Sequence, residues 1–194
     1  IELPGEQEGI LFNPKDMVNS DVATMSIGQS IAVTPLQLVT AMSAIANDGV
    51  LLKPHIIKEI TNADGTEYKS FGKEEVGRVL ESATDKTLVG LLEQVVATGG
   101  GAKAGVKGYR IAGKTGTAEL DIYHPNHGLF IGYTTSSDTS EPEYSIAVRI
   151  ANGYTSGNAC LTANDILKYI YNLADEDTIL TGYASSDTSN TSND

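Results

Sequence analysis

The stretch GYRIAGKTGTAE, residues 108–119, can be read in two ways, and the choice between them decides the fold. Counted from Gly108, it satisfies G-x-x-x-x-G-K-[ST], the pattern of a glycine-rich loop whose amides cradle phosphates. Counted from Lys114, it is Lys-Thr-Gly followed by Thr117 on an extended segment. A phosphate loop requires a buried strand before its first glycine and a helix directly after Lys-Thr, because helix N-terminal amides hold the anion. Upstream lies GGGAKAGVKG, too rich in glycine for a core strand, and downstream no helical periodicity begins before Pro125. The phosphate reading therefore fails on its flanks.

The extended reading gives each residue a task. Lys114 offers a fixed positive charge to an anionic substrate terminus, and Thr115 adds a hydroxyl donor. Gly116 has no side chain, so a substrate backbone can lie against the strand. The N–H of Thr117 is then placed to meet a developing oxyanion, the kind of contact that contributes most to acyl transfer. A bare K-T-G is equally compatible with an ordinary edge strand whose lysine stays in water, so the surrounding sequence has to support it.

The surroundings read as α/β, in the α+β sense: an antiparallel sheet with helices packed on it. One helix follows Thr34, a natural N-cap with Pro35 in the first helical position and Gln37 completing a capping box. Leu38, Ala41, Met42, Ile45 and Ala46 form its apolar stripe, and Gly49 stops it. A second helix starts near Ser82, with Asp85 in its first turns and Leu88, Leu91, Leu92, Val95 and Val96 on one face, ending at Gly99–Gly101. A third is expected to bury Ile166, Tyr169, Ile170, Leu173 and Ala174. Residues 109–119 are extended, and residues 129–133 (LFIGY) are apolar on both faces, as in a central strand. In residues 144–150, Tyr144, Ile146, Val148 and Ile150 alternate with Ser145, Ala147 and Arg149, as in a strand buried on one face. The short polar connections favour hairpins.

At 194 residues and 40% apolar content, the chain has enough material for one core. A net charge of −12 excludes the basic footprint of a nucleic-acid binder and opposes docking on anionic lipid. The single Cys160, beside a helix start, reads as a small buried apolar residue and permits no internal disulfide. No apolar run is long enough to cross a membrane. His124 and His127 in HPNH lack an evident carboxylate or cysteine partner and read as a solvated hairpin loop, so no metal or cofactor is expected. DEDT, from Asp175, reads as a solvated helix exit. The opening IELPGEQEGILFNP begins in turn sequence and reads as a piece of a longer protein. Residues 1–174 read as one domain part and residues 175–194 as a polar, flexible tail.

Three stretches, IELPGEQEG, ATMSIGQSIAVTPLQLVTAMSAIANDG and IAGKTGTAE, occur in an order and approximate spacing that resembles the C-terminal part of the transpeptidase domain of class B penicillin-binding proteins. The resemblance implies the penicillin-binding-protein/serine β-lactamase-like fold. It also implies an extracytoplasmic, membrane-anchored serine D,D-transpeptidase that cross-links peptidoglycan stem peptides and is acylated by β-lactams. Lys114, Thr115, Gly116 and Thr117 then become the substrate-binding strand, with the Thr117 N–H as half of the oxyanion hole. The family also requires an S-x-x-K motif carrying the nucleophile and an S-x-N motif. Both lie upstream of the part this chain resembles, so the nucleophile is absent here and the missing N-terminal part becomes a partner. SFGK, residues 70–73, and SGN, residues 156–158, match these patterns by spacing only. The first lies in a polar stretch without an apolar helix, and the second follows K-T-G in a turn before the last helix. A non-catalytic interaction module, or a β-lactam sensor or β-lactamase relative on the same fold, remains an alternative.

Overall fold

A computed structural model describes residues 1, 3–119, 121–135 and 141–179. In chain order the elements are helices α1 (Asn19–Met25) and α2 (Pro35–Ala46), short strands β1 (Val50–Leu52), β2 (Glu59–Thr61), β3 (Glu67–Ser70) and β4 (Glu75–Arg78), and helix α3 (Ser82–Ala97). A 3-10 turn (Ala102–Ala104) leads into strands β5 (Arg110–Ala118), β6 (His127–Thr135) and β7 (Pro142–Ile150), and helix α4 (Ser156–Ile170) follows.

The main sheet has the order β5-β6-β7, antiparallel throughout. Register fixes its two faces. Ile111, Phe130 and the partly buried Ile146, Val148 and Ile150 pack with Ala159, Cys160, Ala163 and Leu167 of α4. On the opposite face Ala112, Ile131 and Tyr133 meet Met42, Ile45 and Ala46 of α2. Helix α3 runs beside the start of β5 and serves both clusters, through Val96 and Leu92 respectively. The central strand is therefore covered on both sides, as LFIGY predicts. Phe130 is fully buried because the sheet makes room for it: a Cβ at Gly113 would lie 2.6 Å from its ring.

Helix α2 starts as expected, with the Thr34 hydroxyl accepting from the Gln37 N–H at 3.1 Å and the Gln37 side chain returning to the Thr34 N–H at 2.8 Å. Its chain reverses through Asp48 and Gly49, both at positive φ, where glycine is the residue that tolerates the conformation. Helix α3 begins at Ser82 and buries Leu92 and Val96, while Leu91 is left exposed.

Three expectations are corrected. The stripe Ile166, Tyr169, Ile170 and Leu173 faces outward, with Tyr169 57% exposed; α4 instead buries Ala159, Cys160, Ala163, Asn164 and Leu167, which let it approach the sheet closely. Asn164 Nδ2 ties that face to the Gly105 carbonyl at 2.6 Å. Ser156–Asn158 lie within the first turn of α4, not ahead of it. Asp175 opens a further helical turn over residues 176–179, accepting the Thr178 N–H at 2.7 Å, so it is not a helix exit. The tail expected from 175 onward lies outside the described residues beyond 179.

The polar stretch after α2 is more ordered than its composition implies. β2 and β3 form a hairpin, and β1 pairs with β4. Ser70 ends β3 and is exposed, as is Lys73, so SFGK forms no helical nucleophile site. Among the described residues no helix is long and apolar enough to cross a membrane.

Candidate active site

β5 has β6 on one side only, and among the described residues no strand pairs with its outer edge. In an antiparallel ladder each edge residue turns both backbone groups either toward its neighbour or toward the open side, alternately. A Cβ at Gly113 would lie 2.8 Å from the Ile131 carbonyl oxygen, and one at the opposed Gly132 would lie 2.7 Å from the Ala112 carbonyl oxygen. That geometry marks Gly113–Gly132 as a non-hydrogen-bonded pair. Lys114 and Gly116 therefore bond to β6, while Gly113, Thr115 and Thr117 present N–H and C=O to the open edge. The Lys114 ammonium agrees, because it donates to the Thr115 carbonyl at 2.7 Å, an acceptor the ladder has left free.

The four residues singled out from the sequence thus lie together on one free edge. Lys114 and Thr117 are exposed, and Thr115 and Gly116 are half-buried. By register, Lys114 shares the face of Ile131, and the threonines share that of Phe130 and Gly128. Gly116 differs from the other glycines of the sheet. A Cβ at Gly113 or Gly132 would collide with backbone or the Phe130 ring, and one at Gly128 with the Thr155 carbonyl, whereas one at Gly116 would meet only Leu129, at 3.4 Å. Nothing inside the protein requires glycine at 116, which leaves the open edge as the place where its bareness counts. The same run forms no phosphate loop, since residues 110–118 are strand throughout.

The turn after β5 holds a feature that sequence reasoning missed. Asp121 Oδ1 accepts the Tyr123 N–H at 2.7 Å and the His124 N–H at 3.0 Å, and the His124 ring bonds the same carboxylate at 2.8 Å. The backbone bond from Tyr123, then that of the imidazole, hold the Asp121 carboxyl below its usual range. His124 thus has a carboxylate partner after all, Asp121, three residues before it in the chain. His127 is separate and accepts the Asn152 N–H at 3.1 Å. The described residues hold no group of three metal-ligating side chains. Cys160 is fully buried, and burial pushes its thiol up, so it is no nucleophile.

A Lys-Thr-Gly-Thr segment on the open edge of an antiparallel sheet, with helices on both faces, defines the class of folds that penicillin-binding proteins share with serine β-lactamases. The model of the penicillin binding protein transpeptidase domain matches residues 1–172, and the chain belongs to that family. Stage V sporulation protein D of Bacillus subtilis is 38% identical over 149 residues, covering 72% of this chain and 23% of that protein. Penicillin-binding protein PbpB of Mycolicibacterium smegmatis is 31% identical over 189 residues, covering 88% of this chain and 29% of that protein. Penicillin binding protein 3 from Mycobacterium tuberculosis, complexed with ampicillin, superposes with a TM-score of 0.72 at 29% identity, covering 88% of this chain and 42% of that one. The chain spans less than a third of the length of these two curated relatives.

Proposed function

We propose that this chain carries the substrate-binding strand of a serine D,D-transpeptidase that cross-links peptidoglycan on the extracytoplasmic face of the bacterial plasma membrane. The observation that carries this reading is the free edge of β5, where Lys114, Thr115, Gly116 and Thr117 stand together with the backbone of 115 and 117 turned outward. A donor stem peptide laid along this edge places its terminal carboxylate on the Lys114 ammonium and the threonine hydroxyls. The nucleophilic serine, its lysine and the second oxyanion donor come from a part of the protein outside this chain, as does any membrane anchor.

Attack by the serine oxygen on the penultimate D-Ala carbonyl forms the new C–O bond and moves the carbonyl electron pair onto oxygen. The Thr117 N–H donates to that oxyanion. Collapse breaks the C–N bond to the terminal D-Ala, whose nitrogen leaves with the proton taken from the serine. An amine of a neighbouring strand then attacks the ester, forms the cross-link and returns the proton to the serine. A β-lactam offers the same pairing of carboxylate and reactive carbonyl, in keeping with the ampicillin complex of the Mycobacterium tuberculosis relative. No step calls for a metal or an organic cofactor.

The test is Lys114→Ala in the intact protein. A charge-assisted contact contributes roughly 1.5–3 kcal/mol, so acylation by a fluorescent penicillin is expected to slow at least about tenfold. Because Lys114 is exposed, the melting temperature should not move. Unchanged acylation with an unchanged melt would show that the lysine is no substrate handle. The 194-residue chain on its own is expected to gain no mass from penicillin, and a stoichiometric adduct on any serine would place a nucleophile within it.

A further inference from the structure

We propose that Gly100, in the turn that leads from α3 toward β5, sets the size of the terminal residue a donor is able to carry. The proposal rests on the K-T-G reading, because that reading places the donor's terminal carboxylate at the Thr115 hydroxyl. Gly100 keeps the space beside that hydroxyl open, and one methyl group on the donor fills it.

The run Gly99–Gly101 holds two glycines that the protein needs and one that it does not. A Cβ at Gly99 would lie 2.9 Å from the Val95 carbonyl oxygen, and one at Gly101 would lie 3.1 Å from the same oxygen. Both are bare because α3 closes tightly upon them. A Cβ at Gly100 would meet a single atom within 4 Å, the Thr115 hydroxyl oxygen at 3.9 Å. Gly100 is exposed and its φ is not positive, so its backbone accepts an L residue without strain. Gly116, next to Thr115 in β5, is likewise a glycine that packing does not require. The hydroxyl between them is half-buried and bonds to no described residue.

The turn is held in place. The Gly99 and Gly101 amides donate to the Gln94 and Val95 carbonyls at 3.1 and 3.0 Å, and the Ala104 N–H donates to the Gly101 carbonyl at 2.9 Å. Val96 and Ala104, on either side of the run, are anchored in the core. A side chain added at residue 100 would therefore stay against the hydroxyl. A carboxylate oxygen bonded to that hydroxyl sits about 2.7 Å from it, which brings the carbon bearing the carboxylate, and its substituent, to about 4–5 Å. A Cβ at residue 100 would occupy that same shell. A methyl on the donor's terminal residue and a methyl on residue 100 thus compete for one volume, and D-Ala is the terminal residue that brings the methyl.

The experiment uses the intact protein and two thioester donors, N-benzoyl-D-alanyl-thioglycolate and N-benzoyl-D-alanyl-2-thiolactate. They share the acyl group and the terminal carboxylate, and differ by one methyl beside that carboxylate. Gly100→Ala should lower kcat/KM for the thiolactate about tenfold and leave the thioglycolate within about twofold. Gly100→Val should widen the gap between the two. The melting temperature of Gly100→Ala should hold, whereas Gly101→Ala should lower it through the clash with Val95. Equal slowing of both donors by Gly100→Ala, or no slowing of either, overturns the proposal. A lowered melting temperature in Gly100→Ala overturns it too, because the protein itself would then need the glycine. Lys114→Ala separates this result from the underlying reading: slowing of both donors together keeps the strand as the carboxylate site, and full rates with both overturn the strand reading itself.

Discussion

The sheet half of the molecule and the segments that precede it are both hydrogen-bonded, yet only one of them has an interior. Among the described residues of 1–33 and 50–80, none is buried, although α1 and four strands lie there. Ile10, Ile27, Ile56 and Tyr68 are each at least 67% exposed. In β5 and β6, by contrast, Ile111, Ala112, Phe130, Tyr133 and Thr134 are all buried. A backbone bond in water contributes little net stability, and a lone hairpin is marginal. Stability therefore resides in β5–β7 with α2, α3 and α4, and the leading segments follow it.

The largest expected effect sets the two regions against each other. Phe130→Ala should destabilise the chain by about 3–5 kcal/mol in urea unfolding, because it empties a fully enclosed site. Ile10→Ala, at a residue 67% exposed, should stay within about 0.5 kcal/mol. Comparable losses at the two positions would mean that the leading segments do have a core.

A smaller effect comes from glycines. Gly132→Ala drives a methyl toward the Ala112 carbonyl oxygen at 2.7 Å and the Phe130 ring at 3.1 Å, a clash expected to lose about 1–3 kcal/mol. Gly72→Ala meets nothing within 4 Å and should change the same midpoint by less than about 1 kcal/mol, in the stabilising direction. A destabilising Gly72→Ala would reveal close packing around the β3–β4 connection.

The smallest effect lies on the border between the regions. Asp85 of α3 is 3% exposed and its Oδ1 has no hydrogen-bond partner. Burial, and then the charge of Asp48, raise its carboxyl above the usual range. Just above the ordinary carboxylate pKa, the unfolded chain has lost this proton while the folded one keeps it, so rising pH favours unfolding across that window. Asp85→Ala should flatten that fall and gain about 1 kcal/mol at neutral pH. Identical pH–stability curves for the two proteins would show that the carboxylate is satisfied where it stands.

Much of the sheet half was legible beforehand, for physical reasons. Thr34 and Gln37 announce a capping box because their side chains can only complete each other's backbone bonds in that geometry. LFIGY announces a central strand because both of its faces are apolar. The buried face of α4 escaped because Ala159, Cys160 and Ala163 carry little hydropathy, while Ile166, Tyr169 and Ile170 carry much and point outward. Close approach of a helix selects small residues, and a stripe drawn by bulk picks the wrong side. The β2–β3 hairpin escaped because pairing without burial leaves no apolar alternation. Its turn signal was nonetheless present: Asp64 accepts the Thr66 N–H at 3.0 Å, and Gly65 sits at positive φ. K-T-G itself was readable as residues. The register that opposes Gly113 to Gly132, and so turns residues 115 and 117 outward together, was not, since it depends on how β5 aligns with β6.

Under the proposed function, the bond from Lys114 to the Thr115 carbonyl bears on selectivity. The strand keeps an internal stand-in on its own cation, so an arriving ligand competes with an acceptor already in place and does not capture a swinging side chain. A lysine gives up as much as about 2 kcal/mol of rotamer freedom when fixed, and here much of that loss precedes recognition. A donor ending in a neutral amide brings no better acceptor than the carbonyl it would displace. A donor ending in a carboxylate brings a full negative charge. On the proposed reading, the resting strand acts as a threshold that only an anionic terminus crosses.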